Sequence, residues 1–167
     1  MNLLKTSLLA LVLLTTAASC TKDEDPVVEE LNYSIDLNLA NETDWDMANE
    51  ILRLVNEHRV SVGLNMLQKD QQYASAYAVD HTQYMIENRK ISHDNFSERV
   101  RALKDRGAAS VGENVGYGYT EAQSLVTAWL NSPSHKRVLE GQYTHSGFGI
   151  MKNSQGQYYF TQLFYRN

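Results

Sequence analysis

The sequence lacks the features that mark most specialised protein classes. Its 167 residues contain one cysteine, Cys20, so a framework of internal disulfides is excluded and stability must come from core packing. Two prolines and nine glycines are too few for a collagen repeat. Hydrophobic residues at 43% and charged residues at 21% exclude wholesale disorder and a multispan membrane protein. The length suits one domain with one core.

An excess of positive charge is also missing. Residues 21–46 contain nine acidic residues and one lysine, whereas residues 47–167 contain eleven acidic residues and thirteen lysines or arginines. The second segment therefore has a net charge of only +2. Because binding to nucleic-acid phosphates needs a much larger clustered excess of Lys and Arg, we expect no nucleic-acid partner.

Short catalytic signatures are absent as well. The sequence contains no GxxxxGK phosphate loop, no GxSxG elbow, no HExxH helix and no CxxC pair. No nucleophile or oxyanion hole can be named from the residues, and no organic cofactor is predicted.

The N-terminal segment predicts export. One early positive charge, Lys5, precedes an apolar run at residues 8–14 and small residues at 17–19, a pattern typical of a secretory signal peptide over residues 1–19. The apolar run is too short to cross about 30 Å of hydrocarbon as a helix. Cys20 follows directly and resembles the lipid-modified cysteine of a bacterial lipobox, with Ala17 where leucine is usual. A lone cysteine in an exported protein otherwise indicates a free thiol or an intermolecular disulfide.

Residues 20–43 are predicted to form an acidic tether behind the lipidated Cys20. They contain many acids and no sustained periodicity, and residues 21–25 are similar to the export tag of surface-displayed bacterial lipoproteins. Acyl chains anchor stably because each buried methylene contributes about 0.8 kcal/mol. We therefore expect a cell-envelope protein attached by Cys20 to the outer membrane, where the domain faces either the periplasm or the cell surface.

Residues 44–167 are predicted to form an α+β domain, with helices first and strands last. Helical spacing of apolar residues, capping residues and breakers predict four helices, and aromatic and β-branched segments predict a terminal hairpin. The predicted helices cover 44–62, 70–88, a segment capped by Ser97 and ending at Gly107, and a segment with a capping box at 120–123 that stops near Pro133; the hairpin strands cover 147–152 and 157–165. Residues 111–117 form either a further strand or a glycine-containing loop that passes close to a site. This order favours an antiparallel sheet flanked by helices.

Three polar residues do not fit the core pattern. His93, Glu113 and His135 fall in predicted loops or at element ends. Two imidazoles and a carboxylate can bind a divalent cation or act as a proton-transfer pair. The alternative interpretation is that both histidines lie at the surface and that Glu113 accepts backbone hydrogen bonds in a glycine turn. Their separations in sequence do not decide between the two.

Six segments in order resemble the CAP superfamily, which comprises the cysteine-rich secretory, antigen 5 and pathogenesis-related 1 proteins, and especially its bacterial secreted branch. The segments are LVNEHR at 54–59 followed by GL at 63–64, SH at 92–93, GENV at 112–115, AWLNSPSH at 128–135, SGFG at 146–149 and YFTQLF at 159–164. The resemblance spans about residues 48–165 and implies an α-β-α sandwich, the CAP or SCP fold.

The resemblance also implies a cleft in which two histidines and two acids converge. It assigns the histidines to His93 and His135 and one acid to Glu113, while the second acid falls on Ser132. Serine cannot replace a carboxylate, although bacterial relatives commonly lack that acid. Gln162 either points its amide into the cleft or packs at the core edge. Arg59, like Asn56 before it, is assigned a structural hydrogen-bonding role.

These residues imply a lipid-anchored extracytoplasmic protein whose cleft binds a lipid, glycan or protein ligand, with Zn²⁺ or another divalent cation held by His93 and His135. One alternative is a metal-dependent hydrolase acting on envelope or host material, with Glu113 as general base toward a metal-bound water. Another is an adhesion or interaction module with an inert cleft. Binding is favoured over catalysis because the residues supply ligands and acid/base groups but no nucleophile.

Overall fold

Helices cover both faces of a four-stranded sheet in the computed structural model, which describes residues 34–167. These residues belong to one compact unit. The predicted signal peptide, Cys20 and the tether as far as residue 33 lie outside the described residues. Within residues 34–167, no helix combines the length and the apolar character needed to cross a membrane.

The helices and strands follow one another along the chain with short connections. A 3₁₀ helix, Leu37–Glu42, comes first. The α-helices are α1 (Trp45–Ser61), α2 (Tyr73–Glu87), α3 (Phe96–Asp105), α4 (Ala122–Asn131) and α5 (Pro133–Leu139), and the strands are β1 (Gln68–Lys69), β2 (Ser110–Tyr117), β3 (His145–Lys152) and β4 (Tyr158–Arg166). The predicted strand at 111–117 and the terminal hairpin are confirmed.

The sheet has the strand order β1-β3-β4-β2, with β2 and β3 both antiparallel to β4. The predicted antiparallel sheet has one additional parallel pairing, of β1 with β3, which places Gln68 opposite His145. A strand of two residues is too short to carry a period-two pattern, so the sequence does not reveal it.

Alternating residues of the sheet face two different helical layers, as the pleat of a strand requires. Phe148, Phe160 and Phe164 belong to one core cluster with Leu125 and residues of α1. Leu163 faces the other way and packs with residues of α2 and α3. These two apolar layers produce the predicted α-β-α sandwich.

Glycines in β3 allow α2 to lie directly on the sheet. A Cβ atom on Gly149 would clash with the backbone of Ala78, and one on Gly147 would clash with that of Ala74. Side chains at these positions would therefore force the helix away. The close approach holds α2 against β3, and the loop that carries His93 follows directly after this helix.

Two helix starts differ from their predictions. Helix α2 begins at Tyr73 rather than at 70, because the carboxylate of Asp70 accepts the backbone N–H groups of Gln72 and Tyr73 and therefore stands outside the helix. Helix α3 begins after Asn95, which has a left-handed backbone with φ of 57°, so Ser97 lies inside the helix and does not cap it. Asparagine tolerates this conformation better than most residues.

The region around Pro133 differs most from its prediction. No side chain caps α4 at Glu121, so the predicted capping box does not form. Pro133 ends α4 but also begins α5, since its fixed φ and missing N–H suit the first position of a helix. His135 therefore lies on a short helix and not in a loop.

The folded part also begins before residue 44. The 3₁₀ helix packs on α2 with Ala40 buried, and the Thr43 hydroxyl donates a hydrogen bond of 2.7 Å to the Phe148 carbonyl. The last residues of the predicted tether are thus part of the domain. Their lack of periodicity is expected of a single 3₁₀ segment.

Candidate functional site

Glu113 lies in the middle of the edge strand β2 and faces α3. Its carboxylate accepts hydrogen bonds from Arg99 Nε at 2.7 Å and Arg99 Nη2 at 2.9 Å, and His93 Nδ1 lies 2.7 Å from Oε1. The side chains of Glu113 and Arg99 are 1% and 5% exposed, whereas that of His93 is 52% exposed. A buried ion pair therefore supports an imidazole that reaches the surface.

These contacts determine the charge of Glu113. Burial alone raises the pKa of the carboxyl group, but hydrogen bonds from His93 and Arg99, together with the Arg99 charge, outweigh burial and hold the pKa below its usual value. Glu113 is consequently a carboxylate at neutral pH. The carboxylate forms an ion pair with Arg99 and orients the His93 ring.

Hydrogen bonds hold the backbone of the loop on both sides of His93. His81, which is buried on α2, donates a hydrogen bond from Nε2 to the Ser92 carbonyl at 2.8 Å. Arg99 Nη1 donates to the Asp94 carbonyl at 2.9 Å. Burial and the nearby Arg99 charge lower the pKa of His81, so this ring is neutral at neutral pH. His93 thus stands between two fixed residues.

His135 lies on the opposite side of β2. Its Nδ1 is 2.8 Å from Ser132 Oγ, and its ring stacks on that of Trp129 with centroids 6.4 Å apart. Asn114, the residue after Glu113, donates from Nδ2 to the His135 carbonyl at 3.2 Å. Burial, and to a smaller extent the charge of His93, lower the pKa of His135. The charge of His93 therefore acts on His135.

The structure brings His93 and Glu113 into direct contact and joins His135 to the next residue of the same strand. Ser132 contacts His135 at the start of α5. Gln162 lies opposite Asn114 on β4 but is buried, and its Nε2 donates to Ser146 Oγ at 3.0 Å. We refer to His93, Glu113 and His135 as the histidine site.

Two amide oxygens lie unpaired beneath this site. Within residues 34–167, Asn114 Oδ1 and Gln162 Oε1 are buried without a hydrogen-bond partner. The orientation of both amides is determined by their donors: Asn114 Nδ2 donates to a carbonyl, and Ser146 Oγ, whose own proton is given to the Leu163 carbonyl, can only accept from Gln162. The site therefore rests on polar groups as well as on apolar packing.

The two imidazoles are the side chains that would hold a metal ion at this site. Nδ1 is the engaged nitrogen in both rings, which leaves Nε2 to bind a ligand. Over the described range 34–167, no group of three or more His, Cys, Asp and Glu side chains is arranged to hold a metal ion.

The roles of Arg99 and His81 were not predicted from the sequence. His81 lies on the apolar face of α2 and is buried, and it also holds the His93 loop. Arg99 stands on the same face of α3 as Phe96 and Leu103, at helical spacing. A cationic residue on the apolar face of a helix indicates a buried acidic partner. The pattern does not identify which carboxylate that partner is.

The comparisons with known proteins agree with this geometry. The family model described as cysteine-rich secretory protein family, CAP, matches residues 52–164. The chain therefore belongs to the CAP family, and the resemblance drawn from its motifs is confirmed.

Two solved bacterial structures share the fold. An outer surface protein from Borrelia burgdorferi superposes with a TM-score of 0.65 and 28% identity, covering 73% of this chain and 93% of that one. An extracellular protein containing an SCP domain from Bacillus anthracis gives a TM-score of 0.61 and 26% identity, covering 75% and 41% of the two chains. The predicted α-β-α sandwich is thus confirmed.

Two curated relatives come from Bacillus subtilis. The uncharacterized membrane protein YlbC is 37% identical over 122 residues, which are 69% of this chain and 33% of the relative. The uncharacterized protein YkwD is 28% identical over 109 residues, which are 62% of this chain and 42% of the relative. The matched part therefore covers less than half of each relative.

Proposed function

We propose that this chain is a lipid-anchored, extracytoplasmic CAP-domain protein whose histidine site binds a ligand through His93 and His135. The export pattern before Cys20 supports this location. So do the names of similar proteins, which describe a membrane protein, an outer surface protein and an extracellular protein.

The observation that carries the proposal is the support given to an exposed imidazole. His93 is half exposed, yet its Nδ1 is held by a carboxylate that a buried arginine holds in turn. Surface side chains seldom receive such support, because fixing an exposed ring costs conformational entropy. Ligand-binding groups need it, since their reactive atom must be held in one position.

A divalent cation is the first ligand to test. A metal-bound histidine usually gives its second nitrogen to a carboxylate or another hydrogen-bonding group, which is the arrangement of His93 with Glu113 and of His135 with Ser132. Imidazole nitrogens are ligands that Zn²⁺ accepts, and two of them would leave its other positions open. Such an ion, when bound, would supply an acidic water.

The hydrolase alternative is less well supported by the contacts of Glu113. Both carboxylate oxygens accept from Arg99, and the pKa of Glu113 is held below its usual value. A general base works best with a pKa near the operating pH. Glu113 is therefore better suited to orient His93 than to take a proton, and binding remains the favoured function.

The direct test is calorimetric titration of Zn²⁺ into the full chain. Binding is expected at one ion per chain, and His93→Ala and His135→Ala should each abolish it because each removes one of two ligands. His58→Ala is the matched control, since His58 pairs with Glu140 away from the histidine site. Unchanged binding in the His93→Ala/His135→Ala double variant would refute the assignment of the ligands.

Glu113→Gln tests the positioning role. The amide keeps the shape of the side chain but cannot hold the His93 ring as a charged acceptor does. Zn²⁺ affinity is expected to fall by about 10- to 100-fold without being abolished, the usual cost of losing a group that orients a ligand. Complete loss in a variant whose circular dichroism is unchanged would instead make Glu113 a metal ligand.

A further inference from the structure

The outer edge of β2 lies beside the histidine site. β2 is the last strand in the order β1-β3-β4-β2, so β4 pairs with one side of it only. The Gly118 N–H donates at 2.9 Å to the carbonyl of Tyr158, the residue opposite it when the register of the two strands is continued. In an antiparallel ladder, residues that bond their partner alternate with residues that do not. The N–H and C=O groups of Val111, Glu113 and Val115 therefore point away from β4.

Two residues of this edge keep both backbone groups unpaired. Among residues 34–167, no hydrogen bond reaches the N–H or C=O group of Val111 or Glu113. Glu113 as a whole is 6% exposed although its side chain is 1% exposed, so the exposed part of this residue is mostly backbone. At Val115 the carbonyl is occupied, because it accepts the indole N–H of Trp129 at 3.0 Å. We refer to the outward backbone groups of Val111 and Glu113 as the open edge.

β2 lacks the features that usually protect the outer strand of a sheet. Proline, a β-bulge or an exposed charge normally prevents another chain from pairing there. β2 contains no proline, and its register with β4 runs without a bulge from Ser110 to Tyr117. Its one charged side chain, that of Glu113, is buried against Arg99. Unpaired N–H and C=O groups at strand spacing are complementary to the backbone of an extended chain.

The groups on either face of the open edge favour a single chain over a second copy of the domain. His93 reaches Glu113 from one face, and His135, whose carbonyl accepts from Asn114, lies on the other face. In a symmetric pair of β2 strands, the second copy would bring its own His93 loop and α5 to the same two faces, where they would collide with those of the first. An extended segment without flanking helices meets no such obstacle.

We propose that the open edge binds an extended peptide segment, which adds to the sheet as a short strand. The peptide donates backbone N–H groups to the carbonyls of Val111 and Glu113 and accepts the N–H groups of the same two residues. Its side chains alternate between the two faces and so lie beside His93 and His135 in turn. This inference rests on the proposed function for the place of the ligand and names its class as polypeptide, but it requires no metal ion.

The test begins with a synthetic library of random heptapeptides, screened on the immobilised full chain and followed by calorimetric titration of the peptides that bind. Each binding peptide is then methylated at one backbone nitrogen at a time. Methylation should weaken binding by about tenfold or more at nitrogens that face the edge, where it removes a hydrogen bond and blocks pairing, and by less than about threefold at the nitrogens between them. A peptide held in a pocket by its side chains would not show this alternation.

Val111→Pro removes one of the same hydrogen bonds from the protein. Proline is tolerated in an edge strand where its nitrogen faces away from the ladder. Val111→Pro should weaken peptide binding by about tenfold or more, whereas Val111→Ala keeps the N–H and should bind more tightly than Val111→Pro. Ser154→Pro is the matched proline control and should bind as the unaltered chain does. Ser154 is the second residue of a turn closed at 3.0 Å by the Gly156 N–H and the Asn153 carbonyl, a position that proline favours.

The proposal is overturned if no library peptide binds, if the effect of methylation does not alternate, or if Val111→Pro binds as tightly as Ser154→Pro. Dimerisation that Val111→Pro abolishes would assign the open edge to a second copy and overturn it as well. If circular dichroism shows that Val111→Pro does not fold, the methylation series on the unaltered chain decides. Titration with Zn²⁺ distinguishes this inference from the proposed function: a chain that binds peptide but no Zn²⁺ keeps strand addition and loses the metal, and the converse result overturns strand addition alone.

Discussion

Arg59→Met is expected to lower the free energy of unfolding by at least about 4 kcal/mol, the largest effect of any single substitution considered. Arg59 is 1% exposed, and within residues 34–167 its ordering comes from backbone carbonyls and not from an ion pair. Its guanidinium instead donates to four backbone carbonyls: Nε to Asn65 at 2.9 Å, Nη1 to Leu139 at 2.7 Å and Gly141 at 2.9 Å, and Nη2 to Tyr143 at 3.2 Å. Methionine fills similar space but donates no hydrogen bond. The Gly141 carbonyl keeps its bond from the Tyr143 N–H, whereas the Asn65, Leu139 and Tyr143 carbonyls lose the guanidinium as donor.

Urea unfolding at neutral pH measures this effect. Arg53→Met is the control on the same helix, because Arg53 is exposed and pairs only with Glu50 and Glu57 at the surface. Its free energy of unfolding should change by less than about 1 kcal/mol. A loss below about 1 kcal/mol for Arg59→Met would mean that water replaces the guanidinium at these carbonyls.

Arg99→Met is expected to cost about 3–5 kcal/mol, because it leaves the Glu113 carboxylate buried without its main partner. Glu113→Leu should cost a similar amount by leaving the guanidinium unpaired. The Arg99→Met/Glu113→Leu double variant should recover much of the loss, since no buried charge remains. Urea unfolding of all four proteins gives the coupling energy. Additive losses would show that the two side chains do not act as a pair.

The cost of Arg99→Met is also expected to depend on pH. Contacts in the folded state lower the pKa of Glu113 below the usual 4.5, so the ion pair contributes its full stability above that value and loses it as the pH falls through the lower folded pKa. The difference between the unaltered chain and Arg99→Met is therefore largest at neutral pH and shrinks in acid. Equal differences at pH 7 and below pH 4 would refute this account.

The sequence motifs identified the residues of the histidine site but not the contacts that hold them. The resemblance to the CAP family named His93, Glu113 and His135 together, although their spacing in sequence did not decide whether they meet. The structure adds why the group is ordered: Arg99 and His81, which no motif identified, hold the carboxylate and the loop. These contacts join residues from three separate elements, so no local pattern reveals them.

Local periodicity determined most of the fold. Apolar residues at helical spacing placed α1 and α2 within a few residues, and the aromatic segments around 153–156 predicted the terminal hairpin. Both signals arise because one face of each element is buried, and burial repeats with the period of the backbone. Pro133 was read only as the end of α4, since the same ring geometry that stops one helix also starts another.

Only the tertiary structure decided which residues act together. Glu113 and Asn114 are neighbours in the chain, yet the pleat of β2 turns one toward Arg99 and His93 and the other toward His135. Lys69, Arg106 and His145 likewise come from distant segments to line one groove. Sequence patterns record which face of an element is buried, whereas contacts between elements depend on strand order and register, and these arise only when the layers pack.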